Sequence, residues 1–451
     1  MMRASLIAIA IVCFSACTDT HTAIKIENGI ADFSAVEFND VAIHDLSGSW
    51  EYYPHRIIDP EHIGQNLATR KIAPLPQSFN RYADSSLRLP PAASATYRLV
   101  LLMPAKLRQY VFRIPPASTA SRIFINGHPE AENGAVSEDL KAVVPHLRMR
   151  YLQLPLAGKT EIVIQVSNAE FNKGGIWQTI SLGTRSAMEQ YRLRALILDI
   201  LVIVALLTFG LYHVLLYFLR HPETSSIYYG LFCIAVGMGR LFTGERLISN
   251  LWPSLGWAVG YRIELTVNFA DAAFFALYCR QFFPEARKSL VLRAMAISAG
   301  IFSLAALFAP VSVSKHMREP FQIIVAILLL PGLLLISKLA WRDVFGARVF
   351  LAGVFIIAAG FLNDALKTSE LIATPYLFSY SILAFTFLQA VLISGKSVLL
   401  FRENNQLSQK LLRSDRLRDD FLSHTSHELR TPVQAMIQTA ENLRRGASGA
   451  V

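Results

Sequence analysis

The sequence predicts a multidomain membrane protein: an all-β domain of the sandwich or jelly-roll type, a seven-helix transmembrane bundle and a C-terminal helical tail. Three observations predict it. Fifty-three per cent of the 451 residues are hydrophobic and 17% charged, with a mean hydropathy of +0.37, whereas charged residues make up about a quarter of an ordinary soluble chain. Short β-type runs and turn residues crowd the chain up to residue 186. Beyond residue 194 come apolar stretches, each near the length of roughly 20 residues that a spanning helix requires. The formal net charge of +10 fits the cationic loops of a membrane protein. No helix-turn-helix, finger or RNA-binding signature accompanies it, so no nucleic-acid partner is expected.

At the N-terminus Arg3 precedes the apolar run 6–14, which is too short to span a bilayer and has the length of a signal-peptide core. Residues 1–17 therefore read as an export signal. Cys13 and Cys17 lie in this leader and Cys233 and Cys279 in apolar stretches, so no disulfide framework is expected. Phe14-Ser15-Ala16-Cys17 resembles a bacterial lipobox, with Phe14 where Leu is usual. Lipidation of Cys17 and ordinary cleavage beside an incidental cysteine both remain open.

Residues 24–190 read as an extracytoplasmic β-sandwich sensor domain. The runs 96–102, 110–114, 122–125 and 161–166 have strand composition. Asn126-Gly127, directly after Ile123-Phe124-Ile125, is a hairpin signal, because a type I′ turn needs positive φ at both central positions.

Residues 195–400 read as the transmembrane domain, with spans expected at 195–219, 226–246, 259–283, 289–309, 320–340, 346–366 and 375–399. Seven crossings put the chain ends on opposite sides. With the β-domain exported, the C-terminus is cytoplasmic, and Arg220, Arg280, Arg287, Lys288, Arg293, Lys338, Arg342 and Arg348 fall inside, as the positive-inside rule asks. Arg185, Arg192, Arg194, Lys315 and Arg318 fall outside, so the asymmetry is incomplete. Within the spans Asp199, Arg240, Glu264, Asn268, Asp271, Asn363 and Asp364 stand out, since ionisable groups in hydrocarbon cost at least about 2.5 kcal/mol unless paired or hydrated. Glu264, Asn268 and Asp271 share a helical face. A polar core that couples helices and simple interhelical bonding are both open readings.

The tail is expected as a signalling helix over 401–413, continued by residues 414–446. Leu407, Leu411, Phe421, Leu422, Leu429, Val433, Met436, Ala440 and Leu443 recur at mixed three- and four-residue steps, the pattern of a dimerising coil. Asp420, His424, His427, Thr431 and Gln434 follow helical spacing on one polar face, beside the apolar seam through Leu422, Leu429, Val433 and Met436. A solvent-facing imidazole is a nucleophile toward a γ-phosphoryl group, and the adjacent Glu428 is placed to accept its proton.

Ser426-His427-Glu428-Leu429-Arg430-Thr431-Pro432, preceded by Leu417-Arg418-Asp419-Asp420-Phe421-Leu422-Ser423, resembles the phosphoacceptor box of bacterial sensor histidine kinases. That resemblance implies a helical hairpin in a homodimer, phosphorylation of His427, Glu428 as general base, Thr431 orienting water for dephosphorylation of a partner response regulator, and the bacterial inner membrane as location. It covers about residues 410–446. The family's return helix and ATP-binding boxes are not found in the 24 residues after His427. This chain is therefore expected to hold no cofactor of its own, with Mg-ATP brought by a catalytic domain from elsewhere.

A second resemblance rests on Leu46-Ser47-Gly48-Ser49-Trp50-Glu51-Tyr52-Tyr53, Ala95-Thr96-Tyr97-Arg98, Phe124-Ile125-Asn126-Gly127 and Val166-Ser167-Asn168 with Gly174-Gly175-Ile176. Their order is similar to the extracellular module of bacterial seven-transmembrane receptors with diverse intracellular signalling modules, whose jelly rolls resemble galactose-binding sandwiches. The resemblance implies a carbohydrate-like or other small ligand. Trp50, Tyr52 and Trp177 are the candidates for stacking on a sugar ring, and core packing is the competing role for them. The expected function is a transmembrane sensor histidine kinase of a phosphorelay. The alternatives are a catalytically incomplete receptor, acting by dimerisation or as phosphoacceptor in trans, and, least favoured, a transporter, for which no internal repeat is apparent.

Overall fold

The computed structural model describes residues 21–117, 119–220, 224–368, 371–372 and 374–447. The expected signal peptide and Cys17 lie outside these residues. Strands among them run from β1 (His21–Ala23) to β15 (Ser181–Thr184) and form two main sheets. In one, β9 (Arg108–Ile114) lies between β15 and the edge strand β12 (Arg150–Leu156). In the other, β8 (Ala93–Leu102) pairs along its whole length with β13 (Lys159–Asn168), which pairs in turn with β10 (Ala120–Ile125). Tyr110, Phe112 and Leu182 from the first sheet and Tyr97, Leu99, Ile123 and Ile164 from the second share one core. Alternation explains it, since every second side chain of a strand faces the same way. Asn126 (φ 49°) and Gly127 (φ 84°) close the turn between β10 and β11 (His128–Asn133), as the dipeptide predicts.

The motifs of the β-domain turn out to be bonded to one another. Strand β5 (Gly48–Pro54) pairs with β8, setting Glu51 opposite Arg98 and Tyr52 opposite Tyr97. Glu51 is buried, and its carboxylate accepts from Arg98 Nη1 at 2.9 Å, Arg70 Nη1 at 3.2 Å and the Tyr53 hydroxyl at 3.1 Å. Two guanidiniums offset the desolvation of one carboxylate. Asn168 Nδ2 donates to the carbonyls of Pro91 (2.7 Å) and Phe171 (2.8 Å). At Gly174 a Cβ would stand 2.4 Å from the Pro91 carbonyl oxygen, so no other residue fits there.

Strand β15 runs directly into the first helix, α1 (Arg185–Arg220), whose start is capped by Thr184 Oγ1 accepting from the Ala187 amide at 3.2 Å. There follow α2 (Thr224–Arg240), a short α3 (Ile248–Leu251), α4 (Trp257–Phe282), α5 (Leu290–Phe308), a short α6 (Val311–Ser314), α7 (Arg318–Trp341), α8 (Ala347–Thr368) and α9 (Phe378–Ala447). Five of these, α1, α5, α7, α8 and the first part of α9, are long and apolar enough to cross a membrane. Only 22–28% of each such span is buried. The rest of each apolar surface faces outward, which is stable in lipid and not in water.

The remaining two expected spans differ from the five. Helix α2 has 17 residues and ends at Arg240, not at 246 as expected. Gly244, at φ +59°, turns the chain where a Cβ would lie 2.4 Å from Asp199 Oδ2. Helix α4 has 26 residues and carries Arg262, Glu264, Asp271 and Arg280. Both are held by partners: Gly210 and Gly230 bring α1 and α2 into backbone contact, a Cβ on Gly230 falling 2.7 Å from the Gly210 oxygen. Tyr229 and Phe232 of α2 and Phe275 and Tyr278 of α4 join Phe385 and Phe350 in one aromatic cluster.

The described residues from 387 onward form a second unit. Within it α9 covers both the expected signalling helix and the phosphoacceptor segment as one helix, with Pro432 inside it.

Candidate functional site

The histidine string lies on α9. His427, Glu428 and Thr431 are all exposed. The Thr431 hydroxyl donates to the His427 carbonyl at 3.2 Å, one turn back. Glu428 Oε1 lies 3.2 Å from Nε2 of His424, four residues before it. The carboxylate thus engages the neighbouring imidazole, and His427 keeps its ring in solvent. Leu407, Leu411, Phe421, Leu422, Leu429, Val433, Met436 and Leu443 are also exposed, an apolar seam with nothing covering it in a single chain.

The intramembrane polar residues resolve into bonded sets. Asp199 on α1 accepts from Arg240 Nε on α2 at 3.1 Å. Glu264 on α4 accepts from Arg318 Nη2 on α7 at 2.8 Å. Asp364 at the end of α8 accepts from the amides of Leu377 (2.7 Å) and Phe378 (3.2 Å), capping α9, and Asn363 Oδ1 accepts from Thr374 Oγ1 at 2.7 Å. Asn268, half-buried, stands where a Cβ on Gly239 would meet its Oδ1 at 2.6 Å. Asp271 is half-buried on the same helix. Glu264, Asn268 and Asp271 share a face of α4 as the spacing predicts, yet of the three it is Glu264 that bonds to another helix through an ion pair.

Two of the three candidate sugar-stacking aromatics are corrected by the structure. Trp50 and Tyr52 are 0% exposed. Trp50 Nε1 donates to the Leu46 carbonyl at 3.0 Å, and Tyr52 stacks on Tyr97 with centroids 5.0 Å apart. Strand alternation points both rings between the sheets, so neither offers a face to a ligand. Trp177 is half-buried beneath Lys173 Nζ, 5.3 Å from the ring centroid.

Sequence reasoning missed a polar clasp between the β-domain and the bundle. Glu245, in the α2–α3 turn, is buried. Its Oε2 accepts from the Tyr151 hydroxyl of β12 at 2.9 Å, and its Oε1 lies 3.5 Å from Arg113 Nη2 of β9. Its own amide donates to Asp199 Oδ2 at 3.1 Å, which links the clasp to the Asp199–Arg240 pair. Burial, and after it the Glu245 carboxylate, push the pKa of the Tyr151 hydroxyl well above its ordinary value, so it remains a donor. Arg192 of α1 lies over the Tyr151 ring at 4.7 Å, and Arg113 over Tyr191 at 5.4 Å. The only local signal was Gly244-Glu245-Arg246, a turn glycine and two charges at the end of an apolar stretch.

Residues 195–395 match the family described as 7TM diverse intracellular signalling. No curated protein matches the chain. Among solved structures, a β-glucuronidase from an uncultured Clostridium sp. is 16% identical with a TM-score of 0.25, covering 32% of this chain and 29% of its own. A β-glucuronidase from Ruminococcus gnavus in complex with D-glucuronic acid is 14% identical with a TM-score of 0.23, over 31% of this chain and 28% of its own. The chain thus spans less than a third of these enzymes, and at such TM-scores the likeness transfers neither fold nor activity. The family match, together with apolar helices whose outward faces suit lipid, supports a multi-pass membrane receptor in intracellular signalling.

Proposed function

We propose that the protein is a transmembrane sensor of a histidine phosphorelay in a bacterial inner membrane. The β-domain, of jelly-roll type, lies outside and the C-terminal helix in the cytoplasm. His427 is the phosphoacceptor. The observation that carries this reading is Ser426-His427-Glu428-Leu429-Arg430-Thr431-Pro432 on an exposed helix that continues from the last span, with an uncovered apolar seam through Leu422, Leu429, Val433 and Met436. That seam is the contact surface of a homodimer. Phosphoryl transfer needs a nucleophile, a base and a site that cradles the triphosphate and its metal. His427 supplies the first and Glu428 the second. Mg-ATP comes with an ATP-binding domain outside residues 401–451. Thr431 positions the water that attacks the phosphoryl group on a cytoplasmic response regulator, releasing inorganic phosphate.

The test is phosphoryl transfer in trans. Incubated with Mg-ATP and the isolated ATP-binding domain of a sensor kinase, the full chain is expected to acquire acid-labile phosphate, and His427→Ala to abolish it. Equal labelling of wild type and His427→Ala refutes the assignment.

The second reading, a receptor that signals by dimerisation alone, is favoured by the same seam, since the apolar stripe needs a partner whether or not His427 reacts. It predicts unchanged output in the His427→Ala variant.

A further inference from the structure

A cavity of about 450 Å³ opens between β12 and the β11 side of the β-domain and the adjoining end of the bundle, where α1 and the α2–α4 connection meet it. Its size falls within the range of small-molecule sites, about 300–1,000 Å³. Four guanidiniums line it: Arg148, Arg150, Arg192 and Arg246. Three carboxylates line it too, Glu130, Glu132 and Glu245, but two of them already have partners. Glu245 faces Arg113 and Tyr151, and Glu132 pairs with Arg122 at 2.9 Å. Within the lining, four cations then stand against one carboxylate without a partner there, Glu130.

Among the described residues none of these guanidiniums sits in an ion pair, and the one carboxylate acting on Arg246 is Glu264, outside the lining. Arg150 Nε spends its bond on the neutral Asn133 Oδ1, at 2.8 Å. Among the described residues Arg246 Nε is buried without a hydrogen-bond partner. The crowding reaches the nearby groups: burial, then Arg148, lower the pKa of Arg150, and burial, then Arg150, Arg148 and Arg246, lower that of His146. Uncompensated positive charge in a partly desolvated cleft is unstable unless an anion completes it.

We propose that this cleft is an oxyanion-binding site for a phosphate group, carried either by a lipid headgroup or by a soluble phosphate. Guanidinium forks match phosphate oxygens bidentately, and four of them offer more donors than one carboxylate accepts. Arg192 and Leu196, at the start of the first span, put the mouth where headgroups collect. An anion held here touches both β12 and the turn that carries Glu245, so it bridges the β-domain and the bundle. The proposal does not depend on phosphorylation of His427, because it is read from binding to the receptor portion.

The full chain is purified in dodecyl maltoside, which carries no phosphate, and its thermal unfolding is followed with added inorganic phosphate against chloride at equal ionic strength. A parallel arm adds phosphatidylglycerol to the detergent micelles. A rise with inorganic phosphate identifies a soluble source, and a rise with phosphatidylglycerol alone identifies the headgroup. Arg246→Gln is expected to weaken the effect about tenfold or more, as loss of a charge-assisted bond does. Asn250→Glu, at the exposed rim, adds a competing carboxylate and weakens it without disturbing the interior. Absence of a rise in both arms, or a rise that Asn250→Glu leaves unchanged, overturns the proposal.

Discussion

Replacing Glu245 by glutamine removes the charge from the clasp and keeps its shape. The Glu245 side chain is 6% exposed and that of Arg113 18%, so the pair is little screened by water. Breaking a buried ion pair by neutralising one partner costs about 3–5 kcal/mol. Here the 3.5 Å spacing to Arg113 is long, and a glutamine oxygen still accepts from Tyr151. The expected loss is therefore at the low end, about 3 kcal/mol, or roughly a hundredfold in a local opening equilibrium. Tyr151→Phe deletes one hydrogen bond to a charged acceptor and should cost about 2 kcal/mol. Since β12 is an edge strand, its amides exchange through local opening. Hydrogen exchange of the full chain in detergent should then show faster exchange across β12 in both variants, most in Glu245→Gln. Arg113→Met combined with Glu245→Gln should lose less than the two single changes summed, because no unpaired charge is left buried. Unchanged protection of β12 in Glu245→Gln would refute the view that this carboxylate joins the β-domain to the bundle.

His44 gives a pH dependence of defined sign. It is buried, with ring contacts to Phe38 at 4.8 Å and Phe33 at 5.6 Å, and burial holds its pKa below the ordinary value, against a smaller opposite pull from Asp45. The unfolded chain therefore binds the proton more readily. This contribution is complete above about pH 6.5 and is lost as pH falls through the folded-state pKa. His44→Phe should make the fall in unfolding temperature on acidification shallower, and an identical slope would contradict the assignment. For the tail, Leu429→Glu on the seam should shift the purified full chain from dimer toward monomer in light scattering, and an unchanged mass would remove the seam as the dimer contact. For topology, a reporter active only outside the cytoplasm should work when fused after Gly183 and fail after Phe401, and the reverse result would overturn the proposed orientation.

Membrane character was legible in the sequence because a spanning helix satisfies its own backbone, so a run of apolar residues is sufficient instruction. The five helices long and apolar enough to cross a membrane follow from composition and length alone. So does the β10–β11 turn, since Asn126-Gly127 states its backbone angles locally. The ordering of polar and apolar faces on α9 is equally local, which is why His427 and the seam were separable by spacing. What the sequence by itself did not determine is which side chains meet. Trp50 and Tyr52 carry the same rings whether they face a ligand or the core, and only the packing of two sheets buries them. Asp199 and Glu264 read as isolated charges until α2 and α7 bring Arg240 and Arg318 to them. Glu245 lies 94 residues from Tyr151, and no periodicity links positions so far apart. The clasp and the arginine-lined cleft beside it exist because the β-domain docks on the bundle, and desolvation at that contact turns ordinary surface charges into a pairing that tertiary structure alone decides.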